Sequence, residues 1–193
     1  MAPAPAPARP GSLPRAAGLV FLVAALAAAP GIAVRATYGA QLDVDEPQYV
    51  LTAVSLAEDR SLDISDELAE ERWRDFADRA PAVQTAVRAD GAQLSPHDPL
   101  LPLLLAVPVG LGGWVAAKVT LALLAALGAA LTVVLAVRAF AVPVPLAAGG
   151  VGLAAASPPL AVYATQVYPE APAALTTVAA ALALTGRLRP AGV

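Results

Sequence analysis

Apolar and polar positions are grouped in blocks along this chain rather than interleaved. From Ala16 to Val34 no residue is charged. A helix rises about 1.5 Å per residue, so about 20 apolar residues cross a hydrocarbon core of about 30 Å. The block therefore predicts a first span over 16–34, kinked near its far end by Pro30 and Gly31. A secretory signal peptide also starts with a basic residue such as Arg15 and runs through small apolar residues. The run here is longer than the usual h-region of about 7–15 residues, which favours a retained span without excluding cleavage. Residues 99–113 (PLLPLLLAVPVGLGG) are apolar but short and broken by Pro102, Pro108 and three glycines. Such a run predicts a re-entrant or interfacial segment. Spans follow over 114–137, 144–162 and 171–186, with Pro143 and Pro145 in one connection and a polar loop over 163–170 in the other. The glycines at 110–113 and 149–152 lie in apolar context and read as helix-packing or kink positions.

Between the first two apolar blocks lies a polar one, 35–98. Thr52 to Glu58 predicts a short helix after Pro47. Asp63 to Ala80 (DISDELAEERWRDFADRA) predicts an amphipathic helix with opposite charges at i,i+3 and i,i+4 spacing. Trp73 and Phe76 share one of its faces. A solvated charged face explains that pattern, and contact with a membrane surface is the alternative. The fold class expected is all-α: a polytopic transmembrane bundle of about four spans with a large outer loop of short juxtamembrane helices. Residues 1–15 read as a flexible Pro/Ala tail and 187–193 as a cytoplasmic end.

Composition strengthens the membrane reading. Hydrophobic residues make up 58% of the chain and charged residues 14%, with a mean hydropathy of +0.67. Soluble domains average about 45–50% apolar and about 25% charged. A disordered acidic tail, a collagen-like repeat and an ordinary cytosolic enzyme are excluded. The absence of Cys excludes disulfides and Cys-ligated metals, and one His excludes a His-rich cage.

Charge position adds a topology. Residues 35–98 hold 14 of the 15 acids and six arginines, a net −8; elsewhere six basic residues face only Glu170, a net +5. With the N-terminus in the cytoplasm, Arg9, Arg15, Arg138, Arg187 and Arg189 all fall on the cytoplasmic side, as the positive-inside rule requires. The acidic block and Glu170 then share the outer side of a plasma or inner membrane. No basic cluster resembles a nucleic-acid footprint, so nucleic acid is not an expected partner.

Three places carry candidate chemistry. Asp45 and Glu46 stand just beyond the first span, and Pro47 is expected to hold them on a turn. A carboxylate there suits a general base toward a hydroxyl or amine; capping of the following helix is the plainer role. Glu170 stands at an outer helix entrance after Tyr163, Gln166 and Tyr168, either as a functional acid or as a first-turn acid favoured by the helix dipole. His97, in Ser95-Pro96-His97-Asp98-Pro99, lies where the polar loop re-enters the apolar region. It is a candidate for an anionic head group or diphosphate together with Lys118, which is expected to snorkel outward. A metal at His97 would need added carboxylates. P-loop, G-x-G-x-x-G, G-x-S-x-G and H-E-x-x-H motifs are absent.

The order of these pieces resembles the N-terminal part of GT-C-type integral membrane glycosyltransferases, including protein O-mannosyltransferases and lipid A aminoarabinose transferases. One span leads into Asp43-Val44-Asp45-Glu46-Pro47-Gln48-Tyr49. An outer loop, a His/Pro re-entry (Ser95 to Pro102), Ser157-Pro158-Pro159 and Tyr163 to Glu170 follow. The resemblance runs from about Ala16 onward. It implies sugar transfer on the outer face from a polyprenyl-phosphate-linked donor to a glycan, lipid or protein acceptor, within membrane lipid. Asp45 would be the base, with Glu46 the second candidate and Glu170 a further acid. His97 and Lys118 would meet the donor phosphate, and Tyr49, Gln166 and Tyr168 would line the site. No nucleotide sugar or Rossmann fold is implied; no cofactor is required, and a divalent metal is compatible with the chemistry. The re-entry reads His-Asp-Pro where relatives often carry glycine, and relatives have more spans, which implies an N-terminal portion of a larger enzyme. The alternatives are a non-catalytic polytopic protein, as a degenerate copy or assembly partner, and a transporter fragment. The latter is disfavoured because no acid or broken-helix pair is expected at mid-bilayer.

Overall fold

The computed structural model describes residues 12–82 and 84–188, the side chains of Arg187 and Leu188 excepted. Residues 1–11, with Arg9, and 189–193, with Arg189, fall outside the described residues, as do those parts of the expected tail and cytoplasmic end. The chain is mostly helical. Its helices are α1 (Ser12–Ile32), α2 (Glu46–Glu58), α3 (Ser65–Ala69), α4 (Leu100–Phe140), α5 (Val144–Ala156), α6 (Leu160–Tyr163) and α7 (Glu170–Leu188). A 3-10 turn covers Arg72–Asp75, and strands β1 (Ala86–Val87) and β2 (Gln93–Leu94) form a small antiparallel hairpin.

Two helices, α1 and α4, are long and apolar enough to cross a membrane; α5 and the apolar stretch Glu170–Gly186 of α7 are shorter than that. Helix α4 is central, and α1, α2, α5 and α7 all pack against it. It is two helices in series. Gly112 (φ −158°, ψ 24°) and Gly113 (φ 60°, ψ −153°) are non-helical. The Gly113 backbone sits in a region open essentially to glycine alone. The break lies between the short apolar segment and the span read from the sequence.

Several boundaries differ from the sequence reading. Residues 12–15, read as tail, form the start of α1. Pro47 begins α2 instead of holding the acids on a turn, because a first-turn N–H has no intrahelical acceptor to lose. Helix α2 therefore starts six residues before Thr52. The continuous helix expected over 63–80 is broken into α3 and the 3-10 turn, joined by Glu71 at φ 58°. The turn lets Ile64, Trp73 and Phe76 reach one core together. Its charges pair across the break: Arg72 holds Glu58 in a two-point contact at 2.6 and 2.8 Å, and Arg74 holds Glu71 at 2.6 Å. The stretch 144–162 is interrupted after Ala156 by a corner containing the cis Pro158–Pro159 bond.

The main core is built where the polar block meets α4. Tyr49, Val50, Leu51 and Ala53 of α2 pack with Leu101, Leu105 and Val109 before the glycine break, and with Ala117 and Leu121 beyond it. The apolar helices touch through smaller clusters, one of Val20, Val133 and Ala147 and one of Ala28, Ala122 and Ala164.

Candidate functional site

The neighbouring acids Asp45 and Glu46 have different surroundings. Glu46 is 2% exposed, and both of its oxygens are in use. Its Oε1 accepts the Val167 N–H at 2.7 Å and its Oε2 accepts the Asp43 N–H at 3.0 Å. This one carboxylate ties the start of α2 to the loop before α7, 121 residues away in sequence. Charge-assisted bonds of this kind are stronger than neutral ones. Asp45 occupies the N-cap position of α2, yet its side chain makes no capping bond. Its carboxylate is 34% exposed and stands 3.7 Å from His97 Nε2, an ion pair only when the ring is protonated. Val44, just before it, has φ 56°, a left-handed conformation costly for a β-branched residue.

His97 is held from two sides. Its Nε2 lies 3.0 Å from the Gln84 side-chain amide, within hydrogen-bond distance. Its ring lies 4.9 Å from that of Tyr49, which meets Tyr168 edge-on at 6.3 Å. Burial raises the Tyr49 phenol above its ordinary pKa, with Asp45 and then Glu170 and Asp98 adding to the rise. Burial also raises Tyr168; a bond from the Asp45 backbone offsets part of this, and the Asp45 and Glu46 charges add to it. Both phenols therefore keep their protons at neutral pH and are O–H donors beside Asp45. Segments 45–49, 84, 97 and 168 thus converge at one place.

Lys118 is buried rather than snorkelled. Its Nζ donates to the Gln41 carbonyl at 2.9 Å and lies 5.5 Å from the Trp114 ring centre. Lys118, Glu46, Gln166, Thr165 and Arg35 line a groove of about 460 Å³ whose other walls come from α1 and the α5–α6 corner. Arg35 also pairs with Asp78 at 3.1 Å across an exposed surface. On the other side of the corner is an apolar cavity of about 560 Å³, walled mainly by small residues of α4, α5 and α7, with Tyr163 and Glu170 among its few polar residues. Residues 155, 160 and 164 face this cavity and 156, 161 and 165 face the groove.

Of the sequence candidates, Asp45, Tyr49, His97 and Tyr168 come together, and Glu46, Lys118 and Gln166 line the adjoining groove. Glu170 is exposed at the start of α7; among the described residues no hydrogen bond or ion pair joins it to Asp45 or His97. Gln84, Arg35 and Thr165 were missed. Arg35 carried a signal, as a basic residue at the edge of an acidic block. Gln84 carried none, because it reaches His97 only through the loop's tertiary path. A group of three carboxylates, Asp59, Asp66 and Glu67, lies elsewhere. No protein-family model, curated protein or solved structure matches this chain.

Proposed function

We propose that this protein carries out a membrane glycosyltransferase reaction of the GT-C type, moving a sugar from a polyprenyl-phosphate-linked donor to an acceptor hydroxyl or amine. The observation that carries the reading is the division of labour between the adjacent acids. Glu46 is spent on holding two backbone segments, whereas Asp45 stays uncapped and half-open beside His97, Tyr49 and Tyr168. A carboxylate so placed can take a proton from an incoming hydroxyl as its oxygen attacks the sugar's anomeric carbon, and the departing group is the donor's phosphate. The strained Val44 backbone next to Asp45 fits a site where position matters more than local stability.

The groove supports the donor assignment. Arg35 and Lys118 are the basic residues of its lining and Glu46 the one acid, with Asp78 paired to Arg35 from outside the groove. A sugar phosphodiester carries one negative charge. The neighbouring apolar cavity suits a hydrocarbon chain. In this reading the protein is integral to the membrane in about four spans, with the N-terminus cytoplasmic and residues 35–98 outside, where donor and acceptor meet.

The test is Asp45→Asn in the full chain, assayed for sugar transfer in membranes supplied with polyprenyl-phosphate sugars. Loss of a positioned general base lowers the rate by about 10²–10⁴-fold. Membrane insertion and thermal midpoint should be unchanged, because the side chain makes no capping bond. Transfer at the wild-type rate would remove Asp45 from the role; a wild-type chain that transfers no sugar would favour a non-catalytic protein.

A further inference from the structure

At the far end of α2 from Asp45, three carboxylates converge. Asp59 is the C-cap residue of α2, and Asp66 and Glu67 stand in the first turn of α3. One oxygen from each lies within 4.8 Å of the other two. Asp59 and Asp66 are exposed, while Glu67 is 3% exposed. Its Oε2 is fully buried and has no hydrogen-bond partner. Buried polar atoms nearly always have one, and a buried carboxylate oxygen without one is costly.

Among the described residues, no cationic side chain forms an ion pair with this group. Arg72 is held by Glu58 and Glu70, and Arg74 by Glu71. Among the described residues none of Asp59, Asp66 and Glu67 has an ion-pair partner. Asp59 also lies at the C-terminal end of α2, where the helix dipole disfavours a negative charge. Burial pushes the Glu67 carboxyl up to about 8; the Asp66 carboxyl beside it adds to the rise, and the Glu67 backbone N–H and the Ser55 hydroxyl oppose it.

We propose that Asp59, Asp66 and Glu67 form a binding site for a hard divalent cation, Ca²⁺ by the number of carboxylates offered, that fastens the C-terminal end of α2 to α3. Oxygens bound to one Ca²⁺ lie about 2.3–2.6 Å from it and so stand up to about 5 Å apart; for Mg²⁺, at about 2.0–2.1 Å, the limit is about 4.2 Å. Three protein carboxylates within 4.8 Å of one another suit Ca²⁺, which takes several carboxylate oxygens in flexible geometry, whereas Mg²⁺ keeps most of its waters and takes one or two. Glu67 supplies the buried ligand and the two aspartates close the open side, with water completing the shell. The 13 residues of α2 put this site about 20 Å from Asp45. Its role is to brace the polar segment, and it does not depend on the glycosyltransferase reading.

The experiment is calcium titration of the full chain in detergent after chelator treatment, by calorimetry and by thermal midpoint. One saturable Ca²⁺ per chain is expected, with a Kd of about 10⁻³ M or tighter. Calcium at about 100 times Kd should raise the midpoint by about 5 °C or more. Asp59→Asn/Asp66→Asn, two exposed changes, should weaken binding at least about tenfold with the calcium-free midpoint kept. Glu67→Gln, which preserves shape and cannot ionise to meet a cation, should do the same. Absence of saturable binding, or undiminished binding in both variants, would overturn the site. Mg²⁺ binding as tight as Ca²⁺ would overturn the choice of ion.

Discussion

The polar segment between α1 and α4 and the apolar helices around it are held together differently. In the polar segment, Tyr49, Leu51, Ile64, Trp73 and Phe76 are buried in one cluster. Buried polar groups there join distant parts of the chain, as when the Glu46 carboxylate accepts the Val167 N–H at 2.7 Å. The apolar helices meet through alanine, glycine and valine, leave a cavity of about 560 Å³, and expose Leu22, Leu26, Leu146 and Leu153. Large side chains leave water when the first region folds, so the hydrophobic effect drives it. Leu22 and Leu26 belong to α1, which is long and apolar enough to cross a membrane, and in lipid small residues that permit close approach carry helix association. Gly128, which a Cβ would bring to 3.7 Å from the Leu175 backbone, marks one such approach.

Paired leucine truncations would test this contrast most severely. Leu51→Ala empties a fully buried site and should cost about 2–5 kcal/mol, or about 10 °C in thermal midpoint. Leu153→Ala, 75% exposed, should change the midpoint by less than about 2 °C in detergent. Equal losses would mean that both regions rest on the same kind of core.

The glycine break within α4 comes next. An added Cβ at Gly113 meets nothing within 4 Å, so Gly113→Ala isolates the backbone cost. That cost should be about 1–3 kcal/mol, seen as a lower midpoint or as faster hydrogen exchange around residues 110–116. No change in either would show that the break tolerates any residue.

The smallest effect concerns Asp63, whose Oδ1 accepts the Ser65 N–H at 3.0 Å and the Gln93 N–H at 2.8 Å. The Gln93 bond is the main cause that lowers its pKa below the ordinary value, and the Ser65 bonds add to it. A lowered carboxyl pKa means stability that is present above the unfolded value and lost as pH falls through the folded one. Asp63→Asn should therefore cost up to about 1 kcal/mol at pH 6, and the gap from wild type should close as pH falls through the lowered folded value. A gap that does not change with pH would assign the effect to shape instead of charge.

The sequence was informative about composition, blocks and local geometry. Uncharged runs marked the apolar helices because helix length and hydrocarbon thickness are fixed quantities. Gly112 and Gly113 marked a discontinuity because few residues tolerate such backbone angles. The sequence was less informative where a local rule had two outcomes. Pro47 both ends and begins helices, and here it begins one, drawing Glu46 into the interior. The i,i+4 charges over 63–80 suited one long helix, but burial of Ile64, Trp73 and Phe76 in a common core outweighed pairs worth a few tenths of a kcal/mol each.

The candidate site followed the same division. Its residue types, an acid pair, a lone His, two Tyr and a Lys, were readable one by one. Which acid is free and which is structural was not, because that depends on the Val167 N–H arriving from 121 residues away. The same holds for Gln84 at His97 and Gln41 at Lys118. By itself the sequence determined where apolar surface must be hidden from water, since that cost is local and additive along the chain. Only the tertiary structure decided which polar groups are spent on holding the fold and which remain available, since a hydrogen bond is set by position in space and not by neighbourhood in sequence.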